Sequence, residues 1–229
     1  MKISEEKIKR IEEKFYDTFV VQLIKEKLQS FSNKRKVNIA LSGGNTPLPI
    51  LEKLKNEKLS WDNFNFFLVD ERIVPINSNE SNYKNIKEVF FNHITSNTFP
   101  MLSDSGDVNE MIMTYEKRIK DNLMLSANGL PIFDLMILGM GVDGHTASLF
   151  PNTKALEEQE KIIVKNEVPQ LNSSRITLTF PVLLNSHEII VLLKGVDKQI
   201  VFDEINQGFG QKYPISNIIK ANTNWIISK

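Results

Sequence analysis

The chain has 229 residues, which favours a single large α/β unit or a compact pair over a small module and is enough to build a full hydrophobic core. Its 41% hydrophobic and 24% charged residues exclude a disordered or fibrous chain, and 28 basic against 28 acidic residues exclude a global field for a nucleic-acid backbone or an anionic membrane. With no cysteine and three histidines, disulfides, thiolate nucleophiles and Cys-ligated zinc are excluded, so a metal-free protein is expected and any anion must be held by a local site.

In residues 4–31 the apolar side chains Ile8, Ile11, Phe15, Phe19, Leu23, Ile24 and Leu28 recur at helical spacing, with Ser4 as N-cap and Glu5 and Glu6 in the first turn. The period then changes: Val37, Ile39 and Leu41 alternate as a strand that runs into Ser42, Gly43, Gly44, Asn45, Thr46 and Pro47. A helix over 47–55 follows. A second strand, 64–69, ends at Asp70, Glu71 and Arg72. Helices are predicted over 81–94, carrying His93, and over 108–125. A third strand, 132–138, ends at Gly139, Met140, Gly141, Val142, Asp143 and Gly144.

Further on, 162–165, 176–180 and 188–193 read as strands, with His187 at the start of the last, 196–206 as a helix and 225–228 as a final strand. The longest apolar run, 189–193, is far below the roughly 20 residues that span a bilayer, and charges interrupt the N-terminal stretch. No membrane partner and a cytosolic location are therefore expected. Strands separated by helices imply parallel pairing, and no repeat or linker divides the chain. The expected fold is α/β, doubly wound and Rossmann-like, with a mostly parallel sheet and helices on both faces, in one domain over residues 1–229.

Ligands of open parallel sheets bind beyond the carboxyl ends of the strands, where three polar loops are predicted here. In the first, paired Gly43 and Gly44 allow a tight turn, Thr46 can cap the helix and Pro47 suits its first position. Such a helix start favours phosphate, although the same residues make a sound strand-to-helix turn and lack a P-loop's Lys-Ser/Thr ending. In the second, Arg72 could grip a phosphate or steady an oxyanion and a carboxylate could hold sugar hydroxyls, although these residues alone read more readily as a solvated turn with an internal ion pair.

The third loop satisfies G-x-G-x-x-G, and Glu167 lies near the distance expected for an acidic ribose ligand. The fingerprint also requires a helix from Gly144, which Pro151 would kink or end within two turns, so no nicotinamide cofactor is expected. Asp143, Gly144 and His145 instead set a carboxylate beside an imidazole that can exchange a proton near neutrality, with a helix-capping histidine as the alternative. His93 and His187 read as structural. Arg175 and Lys198 are two further cations without an assigned partner.

Taken together, residues 42–47, 70–75, 139–151 and 175–181 resemble, in order and spacing, the 6-phosphogluconolactonase family, and the segment Asp143-Gly144-His145-Thr146-Ala147-Ser148-Leu149-Phe150-Pro151 is the most specific part. The resemblance implies a cofactor-independent hydrolase of a small-molecule partner, a sugar-phosphate lactone. Within it, His145 matches the general base and Asp143 its orienting carboxylate. Ser42, Gly43, Gly44, Asn45, Thr46, Arg175 and Lys198 match positions that hold the phosphate. Asp70 matches a substrate contact, and Arg72 lies nearer the reacting end or bridges to the phosphate. The related glucosamine-6-phosphate deaminases share the Ser-Gly-Gly loop and the Asp-Gly-His core. They carry a glutamate where this chain has Phe150 and usually an aromatic where it has Arg72. Asn45 replaces the lactonases' commoner serine.

Overall fold

A computed structural model describes residues 2–31, 36–103, 106–220 and 222–229. The elements in chain order are β1 (Ile8–Ile11), α1 (Glu13–Phe31), β2 (Val37–Leu41), α2 (Pro47–Leu54), β3 (Phe64–Leu68), β4 (Asp70–Arg72), α3 (Asn82–Val89), β5 (Asn97–Phe99) and α4 (Val108–Asn122). They continue with β6 (Met124–Leu125), β7 (Pro131–Ile132), β8 (Leu135–Gly139), β9 (Ile163–Val168), β10 (Ser173–Leu178), α5 (Phe180–Leu184), β11 (Ile189–Leu193), α6 (Val196–Glu204) and β12 (Thr223–Ser228).

Seven strands form one sheet in the order β1-β12-β11-β8-β2-β3-β5, and each neighbouring pair is parallel. The predicted parallel α/β fold is therefore observed. Strands β2, β3 and β11 are buried at every position, so β3 and β11 read as near-continuous apolar runs, and in β2 Asn38 and Ala40, which fall between the alternating Val37, Ile39 and Leu41, are buried as well. Each fully buried Ile39, Leu138 or Val191 contributes about 1.5–3 kcal/mol relative to exposure. One core cluster runs from Ile3 to Ile227.

Register is fixed partly by buried amides. Asn38 and Asn65 are partners across β2 and β3, as are Asn65 and Asn97 across β3 and β5. Asn97 Nδ2 donates to Asn65 Oδ1 at 2.9 Å and Asn65 Nδ2 to Asn38 Oδ1 at 3.0 Å. A one-residue slip would leave the buried amides of Asn38 and Asn65 without these partners.

Several elements differ from the sequence reading. The predicted first helix begins at Glu13, not after Ser4, whose side chain makes no cap hydrogen bond. Ile8 and Ile11, spaced like a helical face, lie in β1, where pairing with β12 completes the sheet edge. The helix expected over 81–94 stops at Val89 and leaves His93 in a short 3-10 turn, with its Nε2 3.1 Å from the Glu88 carbonyl oxygen. The helix expected over 108–125 stops at Asn122, and Met124 and Leu125 pair with Ile132 and Pro131 in a small hairpin. The strand expected over 132–138 is accordingly two, β7 and β8.

The strands expected over 162–165 and 176–180 do not join the parallel sheet. They form β9 and β10 of a separate antiparallel sheet, ordered β4-β10-β9, and Phe180 already opens α5. Asp70, Glu71 and Arg72, expected as a loop, are its third strand. No helix among the described residues is long and apolar enough to cross a membrane.

Candidate active site

The chain runs from β2 outward to β3 and β5, then returns to the other side of β2 for β8 and continues to β11 and β12. The carboxyl ends of β2 and β8 therefore flank the point where strand order reverses, the position at which doubly wound sheets bind ligands. Ser42 extends this pair, its N–H donating to the Ile137 carbonyl at 2.9 Å. A cleft of about 200 Å³ opens there, lined by Ser42, Gly43, Gly44, Asn45 and Thr46 after β2, by Asp70 and Arg72 of β4, by His145 after β8 and by Lys198 of α6.

The first wall is the start of α2. Pro47 occupies the first turn, but Thr46 does not cap it: the residue is helical at φ −82° and ψ −47°, and its side chain makes no cap hydrogen bond. Its Oγ1 instead faces Lys198, 3.4 Å from Nζ. Burial holds the Lys198 ammonium below its ordinary pKa, and Ser42 Oγ is buried without a hydrogen-bond partner. A desolvated cation and an orphaned hydroxyl on one wall match an anionic ligand better than a finished turn.

The second wall carries the arginines. Arg175, expected just ahead of a strand, lies within β10 directly opposite Arg72 of β4, so two like charges share one face. Arg72 Nη1 donates to the Glu80 carbonyl at 2.5 Å. Arg175 is 9% exposed and its Nη1 is buried without a partner. Desolvation first, then the charge of Arg72, lowers its pKa. An anion between or beside the two guanidiniums would relieve both strains.

The neighbouring carboxylates differ in role. Glu71 accepts from the N–H groups of Arg72, Asn82 and Tyr83 at 2.7–2.8 Å and from Ser81 Oγ at 3.1 Å, so it fastens the start of α3 to β4. Burial pushes its carboxyl up from the ordinary range, against the pull of these backbone donors. Asp70 lines the cleft and accepts from Ser148 Oγ at 2.7 Å, tying the loop after β8 to the antiparallel sheet.

The loop after β8 forms no helix, as Pro151 implied. Gly144 turns it at φ +74°, packed so closely on Tyr213 that no side chain fits. Gly141 N–H donates to the His145 carbonyl at 2.9 Å. His145 Nδ1 lies 2.5 Å from Asp143 Oδ1, which also accepts the His145 backbone N–H at 3.2 Å. Burial opposes ionisation of Asp143, but the hydrogen bond and charge of His145 outweigh it and hold the carboxyl below its ordinary range. An ionised Asp143 favours the proton on Nδ1, which in the neutral imidazole leaves Nε2 as the acceptor.

All the predicted residues except Asp143 and Arg175 line the cleft; Asp143 pairs with His145, and Arg175 stands beside Arg72. The sequence reading missed Asn82, which lies in none of the three loops, and gave Met140 and Ala147 of the third loop no role of their own. Asn82 Nδ2 donates to the Asp70 carbonyl at 3.0 Å, and a Cβ on Gly43 would fall 2.0 Å from Asn82 Oδ1. Gly43 is thus required for the asparagine to pass beneath the loop, a contact that no local pattern announces. Ala147 takes φ +49°, which marks it only once the backbone is known.

A parallel α/β sheet with an anion-seeking cleft beside an acid–imidazole pair at its switch point is the frame of an enzyme that acts on a small anionic substrate. The chain belongs to the family described as glucosamine-6-phosphate isomerases/6-phosphogluconolactonase, whose model matches residues 12–227. It is 36% identical over 186 residues to a 6-phosphogluconolactonase of Thermotoga maritima, covering 80% of this chain and 81% of that one. A probable 6-phosphogluconolactonase of Dictyostelium discoideum is 35% identical over 93% of this chain and 94% of its own length. Among solved structures, the 6-phosphogluconolactonase of Trypanosoma brucei superposes with a TM-score of 0.85 at 27% identity, covering 97% of this chain and 95% of that one.

Proposed function

We propose that the chain, acting as one domain in the cytosol, hydrolyses 6-phosphoglucono-δ-lactone to 6-phosphogluconate in the oxidative pentose phosphate pathway, with His145 as general base. The observation that carries the mechanism is the 2.5 Å contact of Asp143 with His145 Nδ1 at one end of a cleft whose other walls hold an orphaned hydroxyl and desolvated cations. His145 Nε2 takes a proton from water as its oxygen bonds to the lactone carbonyl carbon. The tetrahedral oxyanion, supported by Arg72 or by loop N–H groups, collapses with cleavage of the bond to the ring oxygen. The imidazolium returns its proton to that oxygen, so one water is added and the base regenerated. The loop 42–46, Arg175 and Lys198 hold the phosphate away from the chemistry, and Asp70 meets a sugar hydroxyl.

Purified protein is expected to accelerate lactone loss above the spontaneous rate, saturably and in excess chelator. A rate equal to background refutes the activity, and loss on chelation refutes a metal-free reaction. Glucosamine 6-phosphate tests the deaminase reading; Phe150 stands where that chemistry supplies a glutamate, and no ammonia release is expected. Arg175→Ala should raise KM by about 10- to 100-fold with kcat little changed, because a non-reacting phosphate is held equally in ground and transition states. A fall in kcat at constant KM would move Arg175 to the reacting end.

A further inference from the structure

The His145 ring is enclosed on more sides than its carboxylate partner accounts for. Gly141 approaches so closely that a Cβ there would fall 2.1 Å from Nδ1 and 2.2 Å from Cε1. The Phe150 ring stacks on the imidazole, with centroids 4.0 Å apart and planes inclined by 25°. Phe150 is 5% exposed yet stands outside the main core cluster, so its burial serves the loop after β8 rather than the sheet. The loop is folded back to make this contact. Thr146 bridges to Leu149, Ala147 takes its positive φ between them, Thr146 Oγ1 donates to the Gly139 carbonyl at 2.9 Å, and Thr153 Oγ1 donates to the Phe150 carbonyl at 2.8 Å.

A hydrogen bond at Nδ1 constrains one edge of an imidazole, whereas rotation about its terminal sp³–sp² torsion is soft. A stacked aromatic face opposes that rotation. It also presents negative π density to the imidazolium formed when the base takes its proton. We infer that Phe150 is a positioning residue for the hydrolysis, its stacked ring fixing the plane of His145 so that Nε2 addresses the bound lactone. The inference rests on the reading of His145 as general base.

Misplacing a reacting group by about 1 Å costs about 100-fold. Phe150→Leu, which keeps an apolar side chain but removes the ring face, is therefore expected to lower kcat by about 10- to 100-fold with KM and 6-phosphogluconate binding within about twofold. Phe150→Tyr, which restores the face, is expected to retain kcat within about threefold. In the wild-type protein, whose three histidines make assignment tractable, NMR should find the His145 carbon-bound ring protons shifted upfield by the phenyl ring current. That readout does not depend on how any variant folds.

An undiminished kcat in Phe150→Leu, equal losses in the Leu and Tyr variants, a loss carried by KM, or absence of the upfield shift would each overturn the inference. His145→Ala in the same assay separates the two levels. Full activity in His145→Ala overturns the base itself, whereas an inactive His145→Ala beside a fully active Phe150→Leu overturns only the role of the ring.

Discussion

His145→Ala should lower kcat by about 10²- to 10⁴-fold while leaving KM close to that of the wild type. The size follows from the base being used twice, once to take the water proton and once to return it to the ring oxygen. The unchanged KM follows from the cleft: the loop 42–46, Arg72 and Lys198 line its other walls and remain after the substitution. The ring sits in a loop turned by Gly144 and held through Ile215 N–H to the Gly144 carbonyl at 2.9 Å, so its removal does not dismantle the wall. Single-turnover and steady-state rates corrected for spontaneous lactone opening measure the effect. A variant within about tenfold of wild type would show that another group activates water.

Asp143→Ala is the second large effect, expected to lower kcat by about 100-fold with KM again little changed. The carboxylate selects the tautomer that leaves Nε2 free and stabilises the imidazolium formed in the reaction. Because it acts only through the ring, the double variant with His145→Ala should be no slower than His145→Ala alone. Additive losses would mean that Asp143 touches substrate directly.

The pH dependence has a definite sign. The pairing with His145 holds the folded-state pKa of Asp143 below the ordinary carboxylate range, so its ionic contribution is complete above that range and is lost only as pH falls through the lower folded pKa. The carboxylate therefore stays charged through neutrality, and a loss of kcat/KM well above the ordinary carboxylate range would not come from Asp143.

Much of the fold was legible because β2, β3 and β11 are buried on both faces and their apolar runs are bounded by glycine or polar residues. What escaped local patterns depended on distant partners. Ile8 and Ile11 have helical spacing, and only β12, at the opposite end of the chain, makes them a strand. Asp70, Glu71 and Arg72 look like a charged turn, and only β10 makes them a strand.

The site divides in the same way. The Ser42 and His145 loops could be read because each contains its own turn chemistry and functional groups. The adjacency of Arg72 and Arg175 could not, since it arises from the register of an antiparallel pair whose members lie far apart in sequence. Asn82 escaped for a related reason: its cleft position comes from a Glu71-anchored helix start and from the space left by Gly43. The motif that carried the family resemblance also hid Phe150, which marks the absence of a glutamate in sequence but in space forms one face of the base's surroundings.

The most direct test of the site as a whole is a crystal structure with 6-phosphogluconate bound. The phosphate should contact the loop 42–46 together with Lys198 and Arg175, with the C1 carboxylate within hydrogen-bonding reach of His145 Nε2. A phosphate seated against His145, or product bound outside this cleft, would overturn this assignment of the site.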